Sequence, residues 1–254
     1  MTPLPRLMVA PTGARRTKAD HPALPITLPE IIATAKACHA AGADGLHLHV
    51  RDAEGRHSLD AGLYSEALAA LAEIVPEMSV QITTEAVGIY SPAEQRAVVE
   101  TVQPSLVSVS LAEITGDGDL DTALEFYTNC RTSGIAVQHI LYSEGDLRLM
   151  SQLLDSGKLH ASDLQLIFVL GRYTKGQTSA PEDLQPFTDW LAASDLDADW
   201  AVCAFGPRET DCLVAAHRQG GKLRVGFENS LWNSDGSLAK DNAERVAEVV
   251  RAIA

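Results

Sequence analysis

Short apolar segments alternate with amphipathic segments about eight times along the 254 residues of the chain. This alternation predicts an α/β fold, a single (β/α)8 TIM-type barrel of parallel strands that spans residues 1–254. The length agrees, because such a barrel needs about 250 residues. A doubly wound open sheet is the main alternative, but the Pro-Thr-Gly turn at residues 11–13 does not match its glycine-rich nucleotide-binding motif.

The predicted strands are short and apolar, and two of the predicted helices begin at capping boxes. We expect strands near residues 7–10, 45–50, 78–85, 106–111, 135–142, 164–171, 200–206 and 223–228. We expect helices near residues 28–41, 59–74, 120–132, 145–156, 181–193, 207–218 and 239–253, and another that begins at residue 92. Thr27 and Ser91 each precede a glutamate by three residues, which is the capping-box spacing.

The composition excludes several classes of partner. The formal net charge of −14 argues against a nucleic-acid partner, because the two polyanions would repel each other. There is no run of about 18 apolar residues, so we expect no membrane span. The first residues also lack the basic segment and apolar core of a signal peptide. Because the four cysteines show no Cys-x-x-Cys spacing, we expect a reduced, cytoplasmic protein.

The second predicted strand carries two histidines in an otherwise apolar run. Side chains alternate along a strand, so Leu46 and Leu48 lie on one face while His47 and His49 lie on the other. Burial of two imidazoles costs free energy unless each finds a partner. A metal ion would satisfy both at once, whereas the alternative is a pair of core histidines held by ordinary hydrogen bonds.

A third metal ligand is predicted at the end of the eighth strand. Alternation there places Arg224, Gly226 and Glu228 on one face. Barrel closure brings the eighth strand beside the first, which lies beside the histidine strand, and active sites of such barrels lie at the carboxyl ends of the strands. Two imidazoles and one carboxylate with an open position are typical of catalytic zinc, although iron or manganese also fits.

Six segments, in the same order and over nearly the whole chain, resemble the β-keto acid cleavage enzyme family. They are residues 10–14 (APTGA), 17–20 (TKAD), 24–27 (LPIT), 47–52 (HLHVRD), 168–171 (FVLG) and 224–229 (RVGFEN). The resemblance implies a zinc-bearing barrel that uses acetyl-CoA as a cosubstrate. Its members condense a β-keto acid with acetyl-CoA, giving acetoacetate and a new CoA thioester. The resemblance also implies a homo-oligomer.

The resemblance gives roles to particular residues. The two histidines and the glutamate named above carry over as zinc ligands. Arg224 matches the arginine that works with an acid, and Thr83 matches the hydroxyl that helps hold the keto acid. Thr12 and Ser108 match further positions of the substrate pocket. The anionic CoA would meet basic loop residues, for which the candidates are Arg15, Arg16, Lys18, Arg51, Arg172, Lys175 and Arg208.

Several positions depart from the family pattern. Asn229, which we predict to be part of the catalytic set with Arg224 and Glu85, stands where the family usually has an aspartate. Its amide can orient Arg224 by a hydrogen bond but cannot take up a proton. Arg15 stands where the family usually has an acid. Gln138 and Ile140 occupy the positions of expected glutamates, while Glu85 is a new acid at the end of the third strand. We therefore predict that Glu85 supplies the relocated carboxylate of the pocket, paired with Arg15. The alternative is a surface acid at a strand end.

Two other functions stay open at this point. One is a metal-dependent lyase, aldolase or hydrolase that acts on a carbonyl substrate without CoA. The other is a barrel that keeps its ligand site but has lost catalysis and binds a metabolite. We assign no role to four of the remaining histidines, which are His21, His57, His160 and His217. His139 should face away from the barrel interior if its neighbours in the strand face inward.

Overall fold

The computed structural model describes residues 2–254, and eight parallel strands close into a barrel as the sequence predicted. The eight barrel strands are β1 (Leu7–Val9), β2 (Gly45–Leu48), β5 (Ser79–Thr83), β6 (Leu106–Ser110), β7 (Ala136–Leu141), β8 (Gln165–Leu170), β9 (Asp199–Ala204) and β10 (Lys222–Val225). Two further strands, β3 (Val50–Arg51) and β4 (His57–Ser58), form a separate hairpin. Around the barrel the order is β1-β10-β9-β8-β7-β6-β5-β2. This closure excludes the open-sheet alternative.

Helices follow the barrel strands and cover the outside of the barrel. They are α1 (Leu28–Ala40), α2 (Ala61–Ile74), α3 (Pro92–Val102), α4 (Leu111–Ile114), α5 (Leu120–Thr132), α6 (Glu144–Asp155), α7 (Gln185–Ser194), α8 (Glu209–Arg218) and α9 (Asn242–Ile253), with a 3-10 helix at Pro181–Leu184. The Ser91 hydroxyl accepts the Glu94 N–H, so α3 begins at the predicted capping box. No helix of residues 2–254 has both the length and the apolar character needed to cross a membrane.

Two apolar layers hold the architecture together. The larger layer lies between the strands and the helices, and the smaller one fills the barrel interior with side chains such as Met8, Leu106 and Ile167. The polar interior residues that include His47, His49 and Arg224 are also buried. All four cysteines are free and buried, so they behave as small apolar side chains here.

The end of β10 differs from the prediction in a way that matters for the site. The strand was expected to reach residue 228, but it ends at Val225. Gly226 has a φ of +140°, and a Cβ there would lie 2.5 Å from the Ala10 carbonyl oxygen. The Asn229 N–H then donates to the Gly226 carbonyl at 2.8 Å. A glycine turn, rather than strand alternation, therefore brings Glu228 over the barrel.

The segment at residues 51–58 also differs from the loop that was expected. It forms an antiparallel hairpin in which β3 pairs with β4, with Arg51 opposite His57. The Arg51 guanidinium donates to the carbonyl groups of Gly13, Gly55 and Arg16. The hairpin is therefore tied to the loop after β1, directly beside the carboxyl end of β2.

His139 lies on the outer face of β7, as alternation predicted. Its ring packs against Tyr127 of α5 with the ring centroids 4.7 Å apart. Burial lowers the pKa of His139 to about 4. The neutral imidazole is therefore the form that the folded protein accommodates.

Because of the buried His139, we expect the free energy of unfolding to decrease as the pH is lowered from about 6.5 to about 4. The unfolded chain binds the proton in this window and the folded chain does not, so the contribution is present above pH 6.5 and lost by about pH 4. A pKa difference of this size corresponds to about 3 kcal/mol. Denaturant unfolding at several pH values should show a shallower pH dependence for His139→Phe than for wild type, while the exposed His160→Asn control keeps the wild-type slope.

Candidate active site

Two imidazoles and one carboxylate converge at the carboxyl end of the barrel. The Nε2 atoms of His47 and His49 are 3.2 Å apart. Glu228 Oε2 lies 3.6 Å from Nε2 of His47 and 3.3 Å from Nε2 of His49. One ligand atom of each residue lies within 4.8 Å of the other two. The structure therefore brings together the three residues that the sequence singled out as metal ligands.

The imidazole of His47 is held in one tautomer by the barrel interior. Its Nδ1 is 2.7 Å from Oε1 of Gln81, and an amide oxygen only accepts, so Nδ1 carries the proton. Gln81 Nε2 donates to Gln138 Oε1, and Gln138 Nε2 donates to the Leu166 carbonyl. The lone pair of Nε2 is therefore left facing the other two ligands.

The charge states also fit a divalent metal. Burial and then the Arg224 guanidinium lower the pKa of His47 to about 3, so the imidazole is neutral, which is the form that binds a metal. Burial alone would raise the pKa of Glu228, but the Arg224 guanidinium, 3.1 Å from Oε1, holds it well below its usual range. Glu228 Oε2 is buried and finds no hydrogen-bond donor in residues 2–254. Two imidazole nitrogens and one carboxylate oxygen are ligand atoms that suit zinc or a similar ion.

Arg224 fixes the carboxylate ligand from the opposite side. Its NH2 donates to Glu228 Oε1 at 3.1 Å and lies 3.2 Å from the Cys203 sulfur. Its NH2 also lies 3.4 Å from Asn229 Oδ1. Because Oε1 is engaged in this way, Oε2 is the oxygen that stays free toward the histidines.

Asn229 lies behind Arg224 rather than in the cleft. Its side chain is fully buried, and its Nδ2 donates to Glu209 Oε1 at 3.2 Å and to the Arg224 carbonyl at 3.1 Å. Glu209 Oε2 in turn accepts from Arg245 at 2.8 Å, and both of these side chains have no exposed surface. The sequence placed Asn229 in the catalytic set as an amide that can orient Arg224, and the structure has the Asn229 amide in contact with Arg224 and Glu209. Nothing in the sequence indicated Glu209 or Arg245.

Glu85 reaches the site from the end of β5. Its Oε2 lies 4.0 Å from His49 Nε2, while its Oε1 accepts from Arg172 NH2 at 2.8 Å. The expected pairing with Arg15 is therefore wrong, because Arg172 is the partner and Arg15 is exposed. The Arg172 guanidinium also lies 5.2 Å from the centre of the Phe205 ring. Sequence reasoning grouped Arg172 only with the possible CoA contacts.

The cleft above the site consists of two adjoining cavities. The inner cavity is small and is lined by His47, Thr83, Glu85, Ile140, Tyr142, Val169, Arg172, Phe205, Arg224 and Glu228. The outer cavity is lined by Thr12, Gly13, Ala14, Arg15, Arg16, Glu85, Arg172, Gln177, Phe205 and Glu228. Of the predicted pocket residues, Thr83, Thr12 and Arg15 therefore line the cleft. Ser108 lines neither cavity, although it pairs with Thr83 in the barrel register.

The basic loop residues separate into two groups. Arg15, Arg16 and Arg172 line the cleft. The others either hold the loops or lie away from the cavities: Arg51 binds three carbonyl groups, Lys18 pairs with Glu30, Arg208 pairs with Asp211, and Lys175 is exposed. Within the first group, Arg16 donates to the carbonyl groups of Phe227 and Asn229 and Arg172 pairs with Glu85, whereas Arg15 is exposed.

Comparison with known proteins assigns this barrel to a family. A family model described as beta-keto acid cleavage enzyme matches residues 6–254. The chain belongs to the β-keto acid cleavage enzyme family, which confirms the resemblance found in the sequence.

Two characterised relatives show the range of this similarity. The 3-keto-5-aminohexanoate cleavage enzyme of Acetoanaerobium sticklandii is 26% identical over 246 residues, which cover 94% of this chain and 88% of that protein. The 3-oxoadipate:acetyl-CoA acetyltransferase of Cupriavidus necator is 25% identical over 252 residues, which cover 96% of this chain and 86% of that protein. These relatives have different substrates by name, so they do not define the substrate of this chain.

A solved structure shows the same fold. The binary complex of ObcA with oxaloacetate superposes on 91% of this chain with a TM-score of 0.72 at 18% identity. This chain spans 63% of the length of ObcA. At this identity the likeness concerns the barrel architecture alone.

Proposed function

We propose that this chain is a zinc-dependent β-keto acid cleavage enzyme that condenses a β-keto acid with acetyl-CoA to give acetoacetate and a CoA thioester. The observation that carries this proposal is the buried convergence of His47, His49 and Glu228 at the floor of a cleft lined by cationic side chains. Membership of the family and a relative named as an acetyl-CoA acetyltransferase support it.

The atoms of the products define what the site must do. Acetoacetate contains carbons 1 and 2 of the keto acid joined to the acetyl group, while the original acyl group leaves on the CoA sulfur. Carbon 2 must therefore lose a proton and form a bond to the acetyl carbon, which releases the CoA thiolate. The thiolate must then attack the original acyl carbon, which breaks the bond of that carbon to carbon 2, and carbon 2 must take up a proton again. A zinc ion held by His47, His49 and Glu228 would supply a Lewis acid that polarises the ketone of the substrate.

The residues of the inner cavity divide the remaining tasks. Arg224 and Thr83 line this cavity and would orient the carboxylate of the keto acid by hydrogen bonds. Glu85 would accept the proton of carbon 2, because Arg172 occupies its Oε1 while its Oε2 faces the site. Ile140 and Val169 provide an apolar wall of the same cavity.

The CoA thioester would occupy the outer cavity. Arg15 and Arg16 border it, and the exposed Arg15 would bind a phosphate oxygen of an anionic cosubstrate. The Arg16 guanidinium donates to the carbonyl groups of Phe227 and Asn229 and holds the wall of the cavity. Thr12 borders the same cavity, and its buried hydroxyl finds no hydrogen-bond partner among residues 2–254. This arrangement would bring the thioester to the side of the inner cavity where Glu85 and Glu228 lie, since both cavities share these residues.

The function is tested by incubating the zinc-loaded protein with a panel of β-keto acids, with and without acetyl-CoA, and measuring acetoacetate. We expect at least one keto acid to give acetoacetate and a new CoA thioester in equal amounts, only when acetyl-CoA is present. Consumption of a keto acid without acetyl-CoA would instead support a lyase, aldolase or hydrolase on this barrel. The amide at Asn229, where the family usually has an acid, is the observation that favours this second function.

Three sequence predictions accompany this proposal. They are a single domain over residues 1–254, a cytoplasmic location and a homo-oligomeric assembly. Each stays a prediction, and none of the residue roles above depends on it.

A further inference from the structure

A third histidine lies directly behind the metal-ligand pair. His57 sits in β4 of the hairpin, it is buried, and its ring centroid is 5.2 Å from that of His49. Sequence reasoning gave His57 no role. Two residues hold His57 in place. Tyr90 packs edge-on against its ring and donates a hydrogen bond to its carbonyl, and Arg51 of β3 lies opposite it in the hairpin.

The hydrogen bonds of His57 have a defined direction. Its Nε2 lies 2.8 Å from the carbonyl oxygen of Glu85, and a carbonyl only accepts, so Nε2 carries the proton. In the neutral ring Nδ1 is then an acceptor. This Nδ1 lies 3.5 Å from Nδ1 of His49, which must therefore be the donor of the pair.

The direction of these hydrogen bonds determines which nitrogen of His49 can bind a metal. With a proton on Nδ1, the lone pair of His49 lies on Nε2, the atom that faces His47 and Glu228. For His47, the hydrogen bond from Nδ1 to Gln81 inside the barrel likewise leaves the lone pair on Nε2. The two ligands are thus oriented by different partners, one in the barrel wall and one in the hairpin outside it.

We propose that His57 is a positioning residue of the metal centre: it fixes the tautomer and ring orientation of His49 and fastens that ligand to the main chain of Glu85. This inference rests on the metal centre of the proposed function and adds a residue to it. Hydrogen-bond partners of metal-bound histidines commonly contribute 10- to 100-fold to metal affinity. Because the same side chain binds the Glu85 carbonyl, loss of His57 should also loosen the segment that carries the proposed proton acceptor.

The test measures metal binding and does not depend on catalysis. Zinc affinity is determined by competition with a chromophoric chelator, and Co²⁺ is titrated in while its visible absorption is recorded. The proteins are wild type, His57→Phe, His57→Asn, His57→Gln and the exposed control His217→Asn. Circular dichroism establishes that each variant is folded.

We expect His57→Phe to bind zinc about 10- to 100-fold more weakly than wild type and to give an altered Co²⁺ spectrum. His57→Asn should retain more affinity than His57→Gln, because the shorter amide places its oxygen near Nδ1 while the longer one reaches toward the Nε2 position. His217→Asn should match wild type in both measurements.

Wild-type zinc affinity and an unchanged Co²⁺ spectrum in His57→Phe would overturn the proposal. If His57→Phe does not fold, equal zinc affinity of the Asn and Gln variants would overturn it. Failure of the wild-type protein to bind either ion has a different meaning, since it would refute the metal centre of the proposed function and this inference with it.

Discussion

Glu85→Gln is expected to reduce acetoacetate formation by about 100- to 10,000-fold, the range for loss of a general base. The glutamine keeps the size of the side chain but has no basic oxygen to accept the proton of carbon 2. Its oxygen can still accept from Arg172, so the local geometry should survive. Initial rates under saturating keto acid and acetyl-CoA give the measurement, and the zinc content of the variant should equal that of wild type.

A second variant separates proton transfer from ion pairing. If Glu85 merely neutralises Arg172, then Glu85→Gln/Arg172→Gln should recover activity because the unpaired charge has been removed. If Glu85 accepts the proton, the double variant should stay as inactive as the single one. The matched control is Glu54→Gln, which changes an exposed acid away from the cleft and should leave the rate unchanged.

Asn229→Asp is expected to destabilise the protein by about 3 kcal/mol, although it restores the acid that the family usually has at this position. The new carboxylate would lie against Glu209 Oε1, since the Asn229 amide nitrogen is 3.2 Å from that oxygen. Two buried carboxylates at this distance repel each other unless one takes a proton. Denaturant unfolding of the metal-free protein at neutral pH measures the loss.

The second change Glu209→Gln is expected to recover part of this stability. Its amide can donate to Asp at position 229, which reverses the direction of the hydrogen bond that Asn229 now donates. Arg245 would keep its contacts with Glu248, Asn233 and Thr210. In a double-mutant cycle the two changes should be non-additive by about 1 kcal/mol or more. Additive losses would show that the two side chains are not coupled.

This coupling gives a physical reason for the departure at residue 229. Two hydrogen bonds, one on each side of Asn229, separate the Arg224 guanidinium from the buried Glu209 carboxylate, so the amide connects the two groups without adding a charge. The acid of this cluster is therefore Glu209, which lines neither cavity of the cleft. That leaves Glu85, on the opposite side of the metal ligands, as the carboxylate available for proton transfer.

Much of the barrel could be predicted from local sequence. The capping boxes at Thr27 and Ser91 and the apolar strand segments were sufficient for the order of the elements, and the structure confirms the closed parallel barrel. The histidine strand gave two of the three proposed ligands because strand alternation is a local property. Glu228 was found for a partly wrong reason, since the turn at Gly226 and not the alternation of β10 positions it.

The supporting contacts could not be predicted in the same way. Arg172 and Glu85 are 87 residues apart in sequence, and His57 and the Glu85 carbonyl are 28 apart. Arg172 was one of seven basic loop residues, and nothing local distinguished it from the others. His57 belongs to a hairpin of two-residue strands, which is too short to produce an alternating pattern. Such contacts depend on how loops fold over the barrel end.

We propose that His47, His49 and Glu228 form a metal centre. The most direct measurement is the zinc stoichiometry of the purified protein after zinc loading and removal of excess metal, compared with that of Glu228→Gln. We predict about one zinc ion per wild-type chain and a large loss of binding in the variant, because its amide is a neutral and weaker ligand than the carboxylate. A wild-type protein without affinity for zinc, or a Glu228→Gln variant with undiminished affinity, would contradict the account.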